Sequence, residues 1–325
     1  LVWFRTSGTV GEPRWVGLSR ESLLLSAAVV NRHLGVGECD VWGLALPLHH
    51  VGGFGVVARA FEAGARLAAF PGRWDAAAFA EWLGRERVSH LSLVPTQVHD
   101  LLAAGCRAPS RLRTLVVGGG RLPDAAGRRA RALGWPVLAS FGMTEAGSQV
   151  ATQRPDQLAA PYAADWLPLL PHWRARLDAA GALELKGGAL FAATLERDRD
   201  GWAFAPRSGD WHATRDLAER DGDRLRVLGR ADRRVKVLGE LVDLGAIEEA
   251  FEPRRAAVVA LPDVRRGHRL VLVCEGREID IDTYNRSVSG PWRLDRAIAV
   301  AEFPRNPLGK IRLGELQKRL ESAGS

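Results

Sequence analysis

The sequence predicts an α/β architecture: a mostly parallel, helix-covered sheet, then an antiparallel β subdomain, then a small α+β domain. Three changes of texture predict it. Up to residue 147, short apolar runs alternate with helix-like segments; from about 150, paired strand-like runs meet at glycine turns; after Gly229 a mixed pattern returns.

In the first region, apolar runs at 41–46, 66–70, 89–94, 113–117 and 136–139 read as strands. Helical stretches at 22–34, 76–87, 96–104 and 124–133 separate them, and this βαβα rhythm requires parallel pairing with crossover helices. A proline-rich loop from Arg154 to His172 leads into WRARLDAAGALELKG, two strand-like runs around a glycine turn, with further short strands to Leu228. Beyond it, a helix near 246–251, strands near 256–261 and 269–274, and a last helix near 313–320 make the small domain. The expected division is 1–230 (an α/β part, 1–147, and a β-rich part, 148–230) and 231–325, without internal repeats or low-complexity tracts.

The composition, 46% hydrophobic and 26% charged, is that of a globular chain long enough for a large and a small domain. The formal charge of +7 raises nucleic acid as a partner, but it is spread along the sequence with no basic block interleaved with aromatics, and an acidic small molecule fits it equally well. Cys39, Cys106 and Cys274 lie far apart with no CxxC, which points away from a disulfide framework and towards a reducing cytoplasm. No apolar run approaches the roughly eighteen residues of a membrane span, and the opening lacks a secretory-leader pattern.

Five patches carry the chemistry. The opening loop FRTSGTVGEPR sets Thr6, Ser7, Gly8, Thr9 and Gly11 before Arg14. Glycines let backbone N–H groups approach an anion, and arginine adds a positive fork suited to phosphate; the other reading is a hairpin turn rich in small residues. Phe141-Gly142-Met143-Thr144-Glu145 follows the last strand of the first region, where open α/β sheets bind ligands. WHATRD contains Asp216, GRAD contains Arg230 and Asp232, and PRNPLGK ends on Lys310.

In this order the patches resemble the adenylate-forming enzymes, the superfamily of acyl-CoA synthetases, peptide-synthetase adenylation domains and luciferases. TSGTVGEPR is similar to that family's phosphate loop TSGTTGxPK. FGMTE is similar to its aromatic-Gly-x-Thr-Glu motif, TRD to its TGD, and GRAD and PRNPLGK to its hinge and C-terminal lysine motifs. The pieces ALPLHHVGGFGVVARAF and SLVPTQVHDLL look most like the 2-succinylbenzoate–CoA ligase branch, which belongs to menaquinone biosynthesis. The resemblance runs from residue 1 to about 318, and the family ordinarily carries well over a hundred further residues before the phosphate loop, so the expectation is that sheet edges normally covered either stand exposed or pair with a second copy as a homo-oligomer.

The resemblance implies an ATP-dependent acid–CoA ligase that forms an acyl-adenylate and then a thioester, with ATP, Mg²⁺ and CoA as cofactor and co-substrates and a small carboxylic acid as partner. It implies that Thr6, Ser7, Gly8, Thr9, Gly11 and Arg14 hold the β- and γ-phosphates. Glu145 binds Mg²⁺, Thr144 contacts the phosphate region, and Phe141 and Gly142 lie at the adenine. Gly118, Gly119 and Gly120 admit adenine and acyl group, unless they form a plain strand-to-helix turn. Asp216 holds the ribose and Arg230 assists; a surface ion pair is the other reading of both. His50, Thr96 and Gln97 lie at the acyl pocket, with a core histidine the alternative for His50. Asp232 is the hinge on which a mobile C-terminal domain turns, bringing in Lys310 for adenylation and then Gly239 beside the pantetheine arm; Gly239 also reads as a hairpin glycine. TRD, FGMTE and Arg14 depart from the usual glycine, tyrosine and lysine. The other functions in play are transfer to a carrier protein, a ligase for another aromatic or aliphatic acid, a non-catalytic nucleotide-binding relative, and, from charge alone, nucleic-acid binding.

Overall fold

A computed structural model describes residues 1–6, 14–198, 201–251, 256–305 and 311–323. In chain order its elements begin with β1 (Val2–Arg5), β2 (Trp15–Leu18), α1 (Arg20–Leu34), β3 (Val41–Leu44), α2 (Val51–Glu62), β4 (Arg66–Ala69), α3 (Ala76–Arg85) and β5 (His90–Leu93). There follow α4 (Pro95–Ala103), β6 (Thr114–Val117), α5 (Asp124–Ala132), β7 (Val137–Met143), β8 (Ser148–Thr152), β9 (Leu167–Pro168), β10 (Arg174–Leu177) and β11 (Ala182–Lys186). The remainder are β12 (Ala193–Asp198), β13 (Gly201–Pro206), β14 (His212–Asp221), β15 (Arg224–Arg230), β16 (Arg234–Val237), β17 (Glu240–Asp243), α6 (Leu244–Glu249), β18 (Ala256–Asp263), β19 (Gly267–Glu275), α7 (Asp282–Ser287), β20 (Arg296–Val300) and α8 (Leu313–Ala323). Two compact units emerge: one holds nearly everything up to Val227, the other Leu228 onward together with Arg215–Leu217.

The first unit is built on a six-stranded sheet in the order β4-β3-β5-β6-β7-β8. All its pairs are parallel except the last, β7 with β8. Strands β5 and β6 are buried at every residue, the signature of strands covered on both faces. Local chemistry sets the helix ends: the Ser19 hydroxyl accepts from the Ser22 amide at 3.0 Å, and α1 stops at Gly35 in the left-handed region (φ 68°). Two further sheets, β1-β2-β12-β13 and β10-β11-β14-β15-β9, account for the hairpin-rich texture.

The sequence reading ended the last parallel strand at 139, but β7 runs on to Met143, because β8 folds back and pairs with its end. That close crossing fixes Gly142: a Cβ there would lie 1.9 Å from the Ser148 carbonyl oxygen. Gly142→Ala is therefore expected to lower unfolding stability by about 3 kcal/mol, an overpacking effect read by urea denaturation.

In the second unit β16 and β17 form a hairpin, and β18-β19-β20 a three-stranded sheet with one antiparallel and one parallel pair. The period-two alternation of β18 sends Val258 into a cluster with Val242, Ile247 and Leu270. Its neighbours Ala257 and Val259 join Phe303, Leu316 and Leu320 in another.

Candidate active site

The ends of the opening loop are fastened together. Thr6 donates both its amide, at 2.9 Å, and its hydroxyl, at 3.1 Å, to the Arg14 carbonyl. Ser7, Gly8, Thr9 and Gly11, which form the loop itself, lie outside the described residues, as does Lys310. From the base of the loop the Arg14 guanidinium reaches Glu145 in a direct ion pair and stands 3.7 Å from Glu196. Glu145 sits with Thr144 in a single helical turn at the carboxyl end of β7, and its carbonyl accepts from the Phe191 amide at 2.8 Å. The fold thus joins the phosphate-loop arginine to the predicted metal carboxylate across 131 residues.

His212 was not among the predicted site residues. Its ring meets Phe191 edge-on at 5.1 Å. Burial lowers its pKa, and the nearby Glu145 carboxylate opposes that shift. A histidine inside a motif read for its aspartate gave no separate signal.

Asp216, Arg230 and Asp232 come together in the second unit. Arg230 donates to both carboxylate oxygens of Asp232 at 2.9 Å and stands 3.9 Å from Asp216. Arg215, in the place where the family pattern has glycine, reaches Asp232 at 3.7 Å. Gly239 occupies the tip of the β16–β17 hairpin, where Leu238 (φ 52°) and Gly239 (φ 88°) both take left-handed backbone. Among the described residues, its chain neighbours apart, none comes within 4 Å of the position a Cβ would occupy there.

Among the glycines after β6, Gly119 has φ 77°, whereas a Cβ at Gly118 or Gly120 would meet only ordinary contacts at 3.5–3.6 Å. Phe141 is half-buried against the main core. The acyl-pocket residues divide. Gln97 accepts from the Val94 amide at 3.2 Å and donates to the Ala45 carbonyl at 3.3 Å, so it ties α4 to the end of β3. Thr96 is exposed. His50 precedes the first turn of α2, its ring 4.4 Å from that of His49.

Sequence reasoning also missed Arg59. It projects from α2 and is 2% exposed, donates Nε to the Gly55 carbonyl at 2.8 Å and lies 4.6 Å over the Trp42 ring. Among the described residues its Nη1 has no hydrogen-bond partner and no carboxylate pairs with it. Burial lowers its pKa to about 9. A cavity of about 10 Å³, bounded by Arg59, Gly55, Ser26, Gly147 and Ser148, opens immediately behind the turn that carries Glu145, and its size suits one water. A buried cation without a counter-charge is costly, and a water in this cavity would give Nη1 a partner.

A second polar cluster has a different role. The His90 ring shares a hydrogen bond with Thr114 Oγ1 at 2.7 Å, its Nε2 is 3.4 Å from Asp40, and Asp40 accepts from Arg113 at 2.9 Å. His90 and Thr114 are buried at the amino ends of β5 and β6, the rim opposite to the ligand-binding end, so this is a structural network. His172 has both ring nitrogens buried without a hydrogen-bond partner among the described residues. Burial lowers the pKa of each histidine to about 4 from an ordinary 6.5. Between those values the unfolded chain takes up protons that the fold refuses. Stability from this source is whole above pH 6.5 and is lost as pH falls towards 4. The urea midpoint is expected to drop over that window, and His172→Phe should flatten the drop.

The family model for AMP-binding enzymes matches residues 2–180, more than half of the chain. The chain belongs to the AMP-binding enzyme family. Similar members of the family include the 2-succinylbenzoate–CoA ligase of Bacillus mycoides (strain KBAB4), 29% identical over 336 residues, covering 97% of this chain and 69% of that protein. The Escherichia coli (strain K12) 2-succinylbenzoate–CoA ligase is 30% identical over 288 residues, covering 85% of this chain and 59% of its own length. Among solved structures, o-succinylbenzoate CoA synthetase from Bacillus subtilis in complex with AMP superposes with a TM-score of 0.83 at 24% identity, covering 97% of this chain and 68% of that one. ATP-bound MatB from Rhodopseudomonas palustris does so with a TM-score of 0.84 at 22% identity, covering 99% and 68%. At such identities the superpositions establish the AMP-binding enzyme fold, an α/β fold of several sheets. No helix among the described residues is long and apolar enough to cross a membrane.

Proposed function

We propose that this chain is an ATP-dependent, AMP-forming acid–CoA ligase for a dicarboxylic aromatic acid of the 2-succinylbenzoate type, serving menaquinone synthesis in the cytoplasm. The observation that carries the nucleotide part is the meeting of Arg14 and Glu145, an anion-binding fork and a hard-cation ligand, at the carboxyl end of the parallel strands. Arg59 supports the second carboxylate of the acid: a buried guanidinium beside a cavity that suits one water can meet an anionic tail through that water.

A carboxylate resists attack because added charge falls on an anion, whereas an acyl-adenylate has a good leaving group. In this reading the opening loop and Arg14 hold the β- and γ-phosphates, Asp216 accepts from the ribose hydroxyls, and Arg230 braces Asp216. Lys310 bridges the attacking carboxylate and the α-phosphate, placing positive charge where charge accumulates in the transition state. No three His, Cys, Asp or Glu side chains form a metal cage among the described residues; Glu145 fits Mg²⁺, which takes one or two carboxylates beside phosphates and water. Bound there, Mg²⁺ neutralises phosphate charge. Asp232 serves as the hinge, after whose turn the Gly239 tip faces the pantetheine arm.

ATP–pyrophosphate exchange across mono- and dicarboxylic aromatic and aliphatic acids, with and without CoA, tests the reading. Exchange with aromatic diacids, and thioester on adding CoA, is the expected outcome. Exchange with none, or transfer to a carrier protein alone, would overturn it.

A further inference from the structure

The sheet β1-β2-β12-β13 ends on a strand with unusual chemistry. Strand β13, GWAFAP, carries no charge, and Trp202 and Phe204 are each 56% exposed. Phe204 touches Trp3 of β1 edge-on at 6.2 Å, so both rings lie on one face of the sheet. Edge strands are normally blunted by charge or twist because their free N–H and C=O groups invite another strand.

The direction of those groups follows from the ladder. Thr6 donates to Arg14, and Arg207 donates its amide to the Ala192 carbonyl at 2.8 Å. With the registers Phe4↔Val16, Thr194↔Val16 and Thr194↔Ala205, both bonds lead to the same phase. Odd residues of β13 bond to β12, and Trp202 and Phe204 aim their N–H and C=O groups at the edge that no strand of the described residues covers. Pro206 has no N–H and ends the ladder there.

We propose that β13 pairs antiparallel with β13 of a second copy, forming an isologous two-fold dimer with a continuous eight-stranded sheet. Among the registers that satisfy both the side-chain faces and the hydrogen-bond phase, only one sets every aromatic opposite an aromatic. Ala203 lies opposite its own copy on the axis, and each Trp202 lies opposite a partner Phe204, exchanging two hydrogen bonds per pair. Each crossing is an aromatic cross-strand pair, and the uncharged strand meets its copy without like-charge repulsion, which a net charge of +7 makes costly elsewhere. The area is well below the roughly 800 Å² per partner of a standard interface, so the association is in the micromolar range. The inference does not rest on the proposed ligase activity.

Sedimentation velocity on the full chain from about 1 to about 100 μM should show a monomer–dimer equilibrium that closes at two. Trp202→Lys with Phe204→Lys should raise the dissociation constant at least about 100-fold with unchanged far-UV circular dichroism. With exposed Cys39 replaced by serine, Ala203→Cys should oxidise to a linked dimer, since the axial pair brings Cα atoms to about 4.5 Å. Ala205→Cys, displaced from its copy by about 13 Å, should not. A monomer at every concentration, open-ended growth, a dimer indifferent to the lysines, or equal cross-linking at 203 and 205 would each overturn the pairing.

Discussion

Lys310→Ala is expected to lose ATP–pyrophosphate exchange while still converting supplied acyl-adenylate to thioester. The barrier to adenylation should rise by at least roughly 3 kcal/mol, about a hundredfold in rate, as for a lost oxyanion donor. Lysine is scarce here: Lys186, Lys236, Lys310 and Lys318 are the only four among 45 basic residues. In a chain that favours arginine, a compact, rotatable ammonium suits the proposed bridge between two anions. Gly239→Trp should do the reverse, keeping exchange and losing thioester formation. The tip has room for the ring, with no described residue but its chain neighbours within 4 Å of the added Cβ, although φ 88° imposes a strain of about 1 kcal/mol that a melting curve will register. Identical losses in both variants would dismiss a two-step hinged cycle.

The second large effect is expected at Arg59. Arg59→Met should cut kcat/KM for a dicarboxylic acid by roughly 30- to 150-fold, the loss of a charge-assisted contact worth about 2–3 kcal/mol. Its effect on a monocarboxylic acid should be small. Stability should hold or rise, because methionine fills similar volume and removes a buried cation that no carboxylate balances. Kinetics on paired mono- and diacids, with urea denaturation of the same preparation, separates the two roles. A variant that loses stability and treats both acids alike would make Arg59 a packing residue.

Strands β5 and β6 were legible as short β-branched and leucine-rich runs, and the turn residues of the five patches stand out in any reading. Helix α2 was not: Gly52, Gly53 and Gly55 argue against helix by propensity, and tertiary packing overrides them. A Cβ on Gly53 would sit 2.3 Å from the Pro47 carbonyl oxygen, so close approach, not flexibility, selects glycine there. Arg59 was hidden for the same reason, since a lone arginine in an apolar run reads as a surface charge until its burial is known. Gly142 was read for a ligand, and the β7–β8 crossing makes an independent demand for glycine there. Gln97, read as a pocket residue, has both ends of its amide engaged by backbone.

On the proposed function, the pairing of Arg14 with Glu145 would make nucleotide capture a swap of partners. Glu145 would be the residue to hold the metal and Arg14 the residue to hold phosphate, a metathesis that would break one ionic contact for every two it makes. Background electrolyte weakens both sides of such an exchange, so affinity should decline with added salt along a shallower slope than the chain's excess of arginine would suggest.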